Sequence, residues 1–356
     1  MIIVLTDPSR PGVRAGNHSS VRRWSVLLQQ LGCQVRVHQV RDPQVSDRSP
    51  LPRGDVLLAL HAGHSHRAIM EWKQLPSAPP VVVVLSGTDL HVDLPAGGSS
   101  ARRVIESLEQ ADQLVTLYRG ADESLPGSIR SKLAGRVQFI PQSAKPLSSA
   151  RKPLKSKFRL LVVGFLRRVK DPLLVVEALR WLPQRSADGR RLEVIHLGGV
   201  EEPGYRALAL QAMRQEPRWR WLGAVSAARV RYQLARSDLL VHPSLDEGGA
   251  NIISEALVAG IPILASNAPG NLGLLGENHP GIFGRQDAKC LARLVLRFSE
   301  DLGYRQQLEQ ASDQLAKNHR KEVEIEAWRQ LLKKLKKVAH DRAGHGQLNR
   351  DEEQGE

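Results

Sequence analysis

Long apolar runs are missing from this chain. No stretch approaches the roughly 18 residues that a membrane span needs, and a hydrophobic share of 41% with 25% charged residues is that of a soluble globular protein. Cysteine is nearly absent. Cys33 and Cys290 are the only two, and so far apart they build neither a disulfide framework nor metal-ligand spacing, so both read as packing residues. Aromatic side chains amount to 4%, too few for a base-stacking surface, and neither zinc-finger spacing nor an RNP-type aromatic motif accompanies them. Nucleic acid is therefore not the expected partner. The formal net charge of +14 then suits an anionic membrane surface or a phosphorylated small molecule. The N-terminus, Met1 to Asp7, lacks a basic n-region and a small-residue cleavage site, so it reads as a first strand of a cytoplasmic protein. No Asp-x-Asp pair occurs, which leaves a metal-bridged diphosphate unsupported; Walker and Gly-x-Gly-x-x-Gly patterns are absent too, so neither ATP nor a dinucleotide is indicated.

What is present is an alternation of short β-rich runs with helix-length segments. The runs 2–6, 35–40, 56–61, 81–86, 114–118 and 137–140 are separated by segments such as 18–31, where Val21, Trp24, Leu27, Leu28 and Leu31 share one stripe. This predicts βαβ units around parallel sheets, an α/β fold. At 356 residues the chain is long enough for two domains with a cleft between them. The Ser-, Lys- and Pro-rich stretch near 148–157 suggests the division: a first domain over 1–150, a linker at 151–157 and a second domain over 158–340 with strands at 158–163, 192–197, 239–242 and 261–265. The chain's last helix carries Leu331-Leu-Lys-Lys-Leu-Lys-Lys-Val, expected to pack through Trp328, Leu332 and Leu335 with a solvated lysine face, the alternative being a membrane-surface contact. The polar tail 344–356 is expected to be disordered.

Open parallel sheets bind ligands at the carboxyl ends of their strands. Two turns of the second domain stand out there. Gly164-Phe-Leu-Arg-Arg-Val-Lys-Asp-Pro follows an apolar strand and delivers cations before Pro172, a candidate first-turn proline of the next helix. Arg167 and Lys170 can clamp a diphosphate, or the turn is simply a solvated basic one. The second turn runs from His242 through Glu247, Gly248, Gly249, Ala250 and Asn251 to Glu255. Its glycines allow close backbone approach, the helix starting near Ala250 or Asn251 presents N–H groups to a phosphate, and two carboxylates seven residues apart flank the turn. A carboxylate accepts hydrogen bonds from sugar hydroxyls; the other reading of Glu255 is an exposed helix position, but a Gly-Gly turn flanked by two carboxylates is less readily explained as packing.

In the first domain, Gly16 and Asn17 close a Gly- and Arg-rich loop after the first strand and either contact ligand or only start a helix. Thr88 and Asp89 end another strand; Asp89 touches ligand or caps a helix. His61, His64 and His66 lie close in sequence, but no carboxylate or cysteine nearby completes a metal set, so His61 is read as a cleft residue.

Glu247, seven residues and Glu255, with Gly260-Ile-Pro after them and Gly164, Arg167 and Lys170 upstream, resemble the donor half of GT-B glycosyltransferases, specifically family 4. The resemblance implies two Rossmann-like domains with parallel sheets facing a central cleft, and a nucleotide-sugar donor. It also implies that Glu255 holds the ribose, Glu247 contacts the transferred sugar, and Arg167 with Lys170 neutralises the departing diphosphate, with no metal cofactor. A narrower resemblance to the selenosugar synthases of selenoneine biosynthesis rests on Gly16-Asn17 with Arg23-Trp24, Ala59-Leu-His-Ala62, Ser86-Gly-Thr-Asp-Leu90, Leu166-Arg with Val169-Lys-Asp-Pro, Arg220-Trp-Leu-Gly and Glu247-Gly-Gly-Ala-Asn. It implies a UDP-sugar donor (UDP-N-acetylglucosamine or UDP-glucose) and selenophosphate as acceptor, with Gly16, Asn17, His61, Thr88 and Asp89 on the acceptor side. Phe165 stands where many relatives carry histidine, so no donor contact is assigned to it. The alternative function is a family 4 transferase acting on a lipid or polysaccharide acceptor at the membrane surface, which the +14 charge and the basic terminal helix suggest.

Overall fold

The computed structural model describes residues 1–9, 16–40 and 50–353, with side chains described through residue 338. It divides into two compact units, Met1–Gln142 with Glu322–Glu356, and Ser143–Lys321. Among the described residues no helix is long and apolar enough to cross a membrane.

The first unit holds six parallel strands, β1 (Ile2–Asp7), β2 (Gln34–Gln39), β3 (Val56–Leu60), β4 (Val81–Val84), β5 (Gln113–Thr116) and β6 (Val137–Phe139), in the order β2-β1-β3-β4-β5-β6. The strands β3 and β4 are buried along their whole length, as their unbroken apolar runs demand when helices cover both faces. The helix Gly16–Gln30 lays Val21, Trp24, Leu27 and Leu28 on this sheet, the stripe legible in its 3.6-residue period.

The second unit repeats the plan with β7 (Lys157–Val163), β8 (Arg191–Leu197), β9 (Trp219–Trp221), β10 (Leu239–His242), β11 (Ile263–Ser266) and β12 (Ile282–Phe283), all parallel, in the order β12-β11-β10-β7-β8-β9.

Two boundaries differ from the sequence expectation. Residues 151–157 are not a free linker: the Arg151 guanidinium donates to the carbonyls of Ser237 and Gly260, Lys152 N donates to Ala235 O at 2.8 Å, and Lys157 already belongs to β7. The first crossing falls between Gln142 and Ser143. The terminal helix, Lys321–Glu353, packs on the first unit instead of the second. Trp328, Leu331, Leu332 and Leu335 complete the core beneath Trp24, whose ring meets that of Trp328 edge-on at 5.4 Å. Buried Glu324 accepts from Trp24 Nε1 at 2.9 Å and from Arg23 Nε at 3.1 Å. The lysine face 333–337 is solvated as expected. Residues 344–353 continue this helix, where a disordered tail was expected; 354–356 lie outside the described residues.

Candidate functional site

In the second sheet the chain runs outward from β7 to β9 on one side and from β10 to β12 on the other, so strand order reverses between β7 and β10. Loops leaving the carboxyl ends of the strands at such a switch point line the ligand crevice of an open parallel sheet. Here they are 164–172 and 243–250, the two turns singled out from sequence. They are tied together directly: Leu245 N donates to Val169 O at 2.8 Å.

The first loop is held by close backbone packing. Gly164 N donates to Leu197 O at 2.9 Å, its carbonyl accepts from His196 Nε2 at 3.0 Å, and a Cβ on Gly198 would lie 1.8 Å from that carbonyl oxygen. Burial pushes His196 down to about 4, only partly offset by the Gly164 bond. A short 3-10 turn, Arg168–Lys170, follows, and Asp171 takes a left-handed φ of 42°. That kink delays the next helix to Leu174, so Pro172 precedes it and does not occupy its first turn. Arg167 Nη1 pairs with Glu201 at 3.1 Å, while its buried Nε has no acceptor among the described residues.

Lys170 Nζ donates to Glu247 Oε1, bringing the two predicted turns into one ion pair. The same oxygen accepts from His242 Nε2 at 2.8 Å and from Ser244 Oγ at 2.7 Å. Burial alone would raise the Glu247 carboxyl, but the Lys170 ammonium and His242 outweigh it and hold the group well below the usual carboxylate range. Glu247 is thus an anion and an acceptor only. Its neighbour Asp246 accepts from Glu247 N at 2.9 Å and is pushed up to about 6, chiefly by burial and further by the Glu247 charge.

Gly248 is buried, and Gly249 has a φ of 110°, a conformation only glycine adopts readily. The helix Asn251–Val258 starts next, with Ala250 as an N-cap that supplies no side-chain bond, and Glu255 sits one turn inside. Gly260, at φ 66°, ends it in a glycine C-cap, with Ile261 N donating to Ala256 O at 2.9 Å.

Sequence reasoning missed the residues that support this loop from below. Ser266 Oγ donates to Ser244 O, Asn271 Nδ2 donates to Ser266 O at 3.1 Å, and a Cβ on Gly270 would lie 2.0 Å from Glu247 O. His242 and Ser244 stood inside a turn already singled out. Gly270 carries no local signal, because its constraint comes from a loop 23 positions away.

The first sheet reverses between β1 and β3, and candidate residues gather at its strand ends as well. His61 has a φ of 67° and is buried; its Nδ1 accepts from His64 N at 3.2 Å, which leaves the proton on Nε2, 2.9 Å from Thr88 Oγ1. Burial and the stacked His64 ring push His61 down to about 3 despite Asp93. Of its two sequence readings, Asp89 fits the capping one: it organises its loop. It is 0% exposed, and its carboxylate accepts from the amides of Ala62, Ser86, Gly87 and Leu90. Burial raises its pKa and those four bonds oppose the rise. His66 pairs with Glu106 at 2.7 Å, and among the described residues no three His, Cys, Asp or Glu side chains converge on a possible metal position. Gly16 and Asn17 form the first turn of the helix Gly16–Gln30; the preceding residues 10–15 lie outside the described residues.

Residues 145–315 match the family described as glycosyl transferases group 1. This segment is similar to group 1 glycosyl transferases. It contains the whole Lys170–Glu247 site and the helix of Glu255. A curated relative, D-inositol 3-phosphate glycosyltransferase of Paenarthrobacter aurescens, is 27% identical over 191 residues, which cover 51% of this chain and 45% of the relative, so the chain matches about half the length of that protein. Solved structures extend the likeness in fold beyond this segment. Anabaena Alr3699/HepE in complex with UDP and glucose has a TM-score of 0.71 at 16% identity, covering 95% of this chain and 100% of that one. Sucrose-phosphate synthase from Thermosynechococcus elongatus has a TM-score of 0.72 at 16% identity, covering 95% and 99%. The shared feature is the fold: two parallel α/β sheets of the GT-B type.

Proposed function

We propose that the protein transfers a hexosyl group from a UDP-sugar, UDP-N-acetylglucosamine or UDP-glucose, to selenophosphate. The observation that carries the donor half is the ion pair of Lys170 and Glu247 at the β7/β10 switch point, which sets a cation and an obligate acceptor side by side. Lys170 has three protons and gives one to Glu247, leaving two for phosphate oxygens. Arg167 uses one of its five donors on Glu201. These cations and the N-terminus of the helix Asn251–Val258 stabilise the negative charge that builds on the leaving UDP, and no metal is required for that role. Glu255 takes the ribose hydroxyls. The solved Anabaena protein holding UDP and glucose supports a donor of this class.

The acceptor half rests on the first-unit segments around Gly16-Asn17, His61 and Thr88. Selenophosphate is already a soft anion, so its selenium attacks the anomeric carbon as the bond to the UDP oxygen breaks, and UDP leaves with the electron pair. A dedicated base is unnecessary for such a nucleophile. His61 suits this: it is buried, and its only free-standing proton points at Thr88, so it orients a hydroxyl and does not withdraw a proton. A membrane-bound acceptor gains little from the basic terminal helix, because its apolar stripe is spent on the first-unit core.

The test is a product mass spectrum after incubation with selenophosphate and a panel of UDP-sugars, with and without EDTA. UDP release coupled to a selenium-bearing sugar, undiminished by EDTA, is expected. Failure with every UDP-hexose would reject the proposal, and a product seen only without the chelator would reject its metal-free form.

A further inference from the structure

All three hydrogen bonds that the Glu247 side chain accepts end on one oxygen. Lys170 Nζ, His242 Nε2 and Ser244 Oγ converge on Oε1, whereas Oε2 accepts none among the described residues. A carboxylate oxygen has two lone pairs, so three donors exhaust Oε1. The carboxylate keeps 6% of its side-chain surface accessible, and that remnant is what a ligand can reach.

We infer that His242 and Ser244 are positioning residues that turn Glu247 into a one-oxygen acceptor, with Oε2 reserved for a hydroxyl of the transferred sugar. This rests on the nucleotide-sugar reading. The chemistry of the ligand at Oε2 follows from the charge. Glu247 is held ionised and has no proton to give, so it repels phosphate and accepts from a hydroxyl or amide N–H. Lys170, on the other side of Oε1, faces the opposite preference. The boundary between the diphosphate and the sugar therefore falls at this ion pair.

The anchoring is layered. The Ser244 carbonyl accepts from Ser266 Oγ, which Asn271 in turn contacts at 3.0 Å, and Gly270 packs its backbone against Glu247. His242 is the last residue of β10, so its ring is aimed by the sheet itself. Because Glu247 Oε1 can only accept, His242 donates from Nε2. Removing either donor loosens the hold on Oε1 and lets the carboxylate rotate, which spoils sugar contact without touching the cations that hold the diphosphate.

Calorimetric titration of UDP and of UDP-glucose into the wild type and into Ser244→Ala, Ser244→Thr and His242→Ala separates these effects. The expected result is UDP affinity within about twofold of wild type in all three variants. The additional affinity from the glucosyl group should fall about 5- to 10-fold in Ser244→Ala and His242→Ala, the scale of one lost hydrogen bond, and return in Ser244→Thr. If Ser244→Ala and His242→Ala keep the full glucosyl increment, the inference is overturned while the function stands. If UDP and UDP-glucose lose affinity together, the two residues only support the loop, and the inference is likewise overturned. A wild type that binds neither ligand overturns the nucleotide-sugar reading and this inference with it.

Discussion

Lys170 and Glu247 lie 77 positions apart in sequence and meet as an ion pair between the loops that follow β7 and β10. Each partner's burial is offset chiefly by the other, with His242 and Ser244 adding to the hold on Glu247, since an unpaired buried charge costs several kcal/mol. Lys170→Met and Glu247→Gln should each destabilise the protein by about 3 kcal/mol, the low end for buried pairs because the Lys170 side chain keeps 17% of its surface accessible. The double variant should cost clearly less than the sum. Urea denaturation of all four proteins measures the coupling, and strict additivity would show that the pair is not an energetic unit.

Gly270 is fixed by its nearness to Glu247. A Cβ there would sit 2.0 Å from Glu247 O, so Gly270→Ala must push the 243–250 loop away from the helix Pro269–Leu275. Overpacking of this kind costs about 1–3 kcal/mol. The predicted outcome is a lower Tm together with transfer activity reduced at least tenfold; a variant with wild-type activity would show that the position of Glu247 is not critical.

Asp171 gives a pH-dependent prediction. Burial, with Glu177 adding to it, pushes its carboxyl up to about 6, and its buried Oδ2 has no partner among the described residues. In the unfolded chain such a group ionises near about 4. Above pH 6 both states are ionised and the folded state bears the cost of the charge; below pH 4 both are protonated and the cost is gone. Asparagine tolerates the left-handed φ of 42°. Asp171→Asn should therefore raise Tm at pH 8, with the gain shrinking as pH falls from 6 to 4. A gain that does not vary with pH would contradict this assignment.

The terminal helix should stabilise the first unit. Trp328 is 1% exposed and stands edge-on to Trp24, so Trp328→Ala should cost about 3–5 kcal/mol. Hydrogen exchange is expected to quicken in the strands β1 and β3 and to stay unchanged in β7 and β10. The reverse pattern would place the helix with the second unit.

Much of this architecture is written in local patterns. The β-rich runs from Ile2 to Ile140 give all six first-unit strands within a residue or two; β3 and β4 are the unbroken apolar stretches that fully buried parallel strands need, while the edge strand β2 is legible only through Val35 and Val37. The edge strands Trp219–Trp221 and Ile282–Phe283 escape such reading, being too short to show a period. The terminal helix shows its apolar stripe but not which core will receive it, since Trp328 and Leu335 would suit either. At the site, the two turns are legible because glycines, cations and carboxylates are clustered in each. Their union is not, because it depends on strand order. Asp89 illustrates the limit: a carboxylate at a strand end looks the same in sequence whether it faces ligand or, as here, four backbone amides.

The central claim is that the β7/β10 switch point binds a nucleotide diphosphate through Lys170. Isothermal titration of UDP into the wild type and into Lys170→Met addresses it most directly. Saturable binding to the wild type, weakened about 10- to 100-fold in the variant as charge-assisted hydrogen bonds are lost, is the predicted result. Equal affinity in the two proteins, or no binding to the wild type, would contradict it.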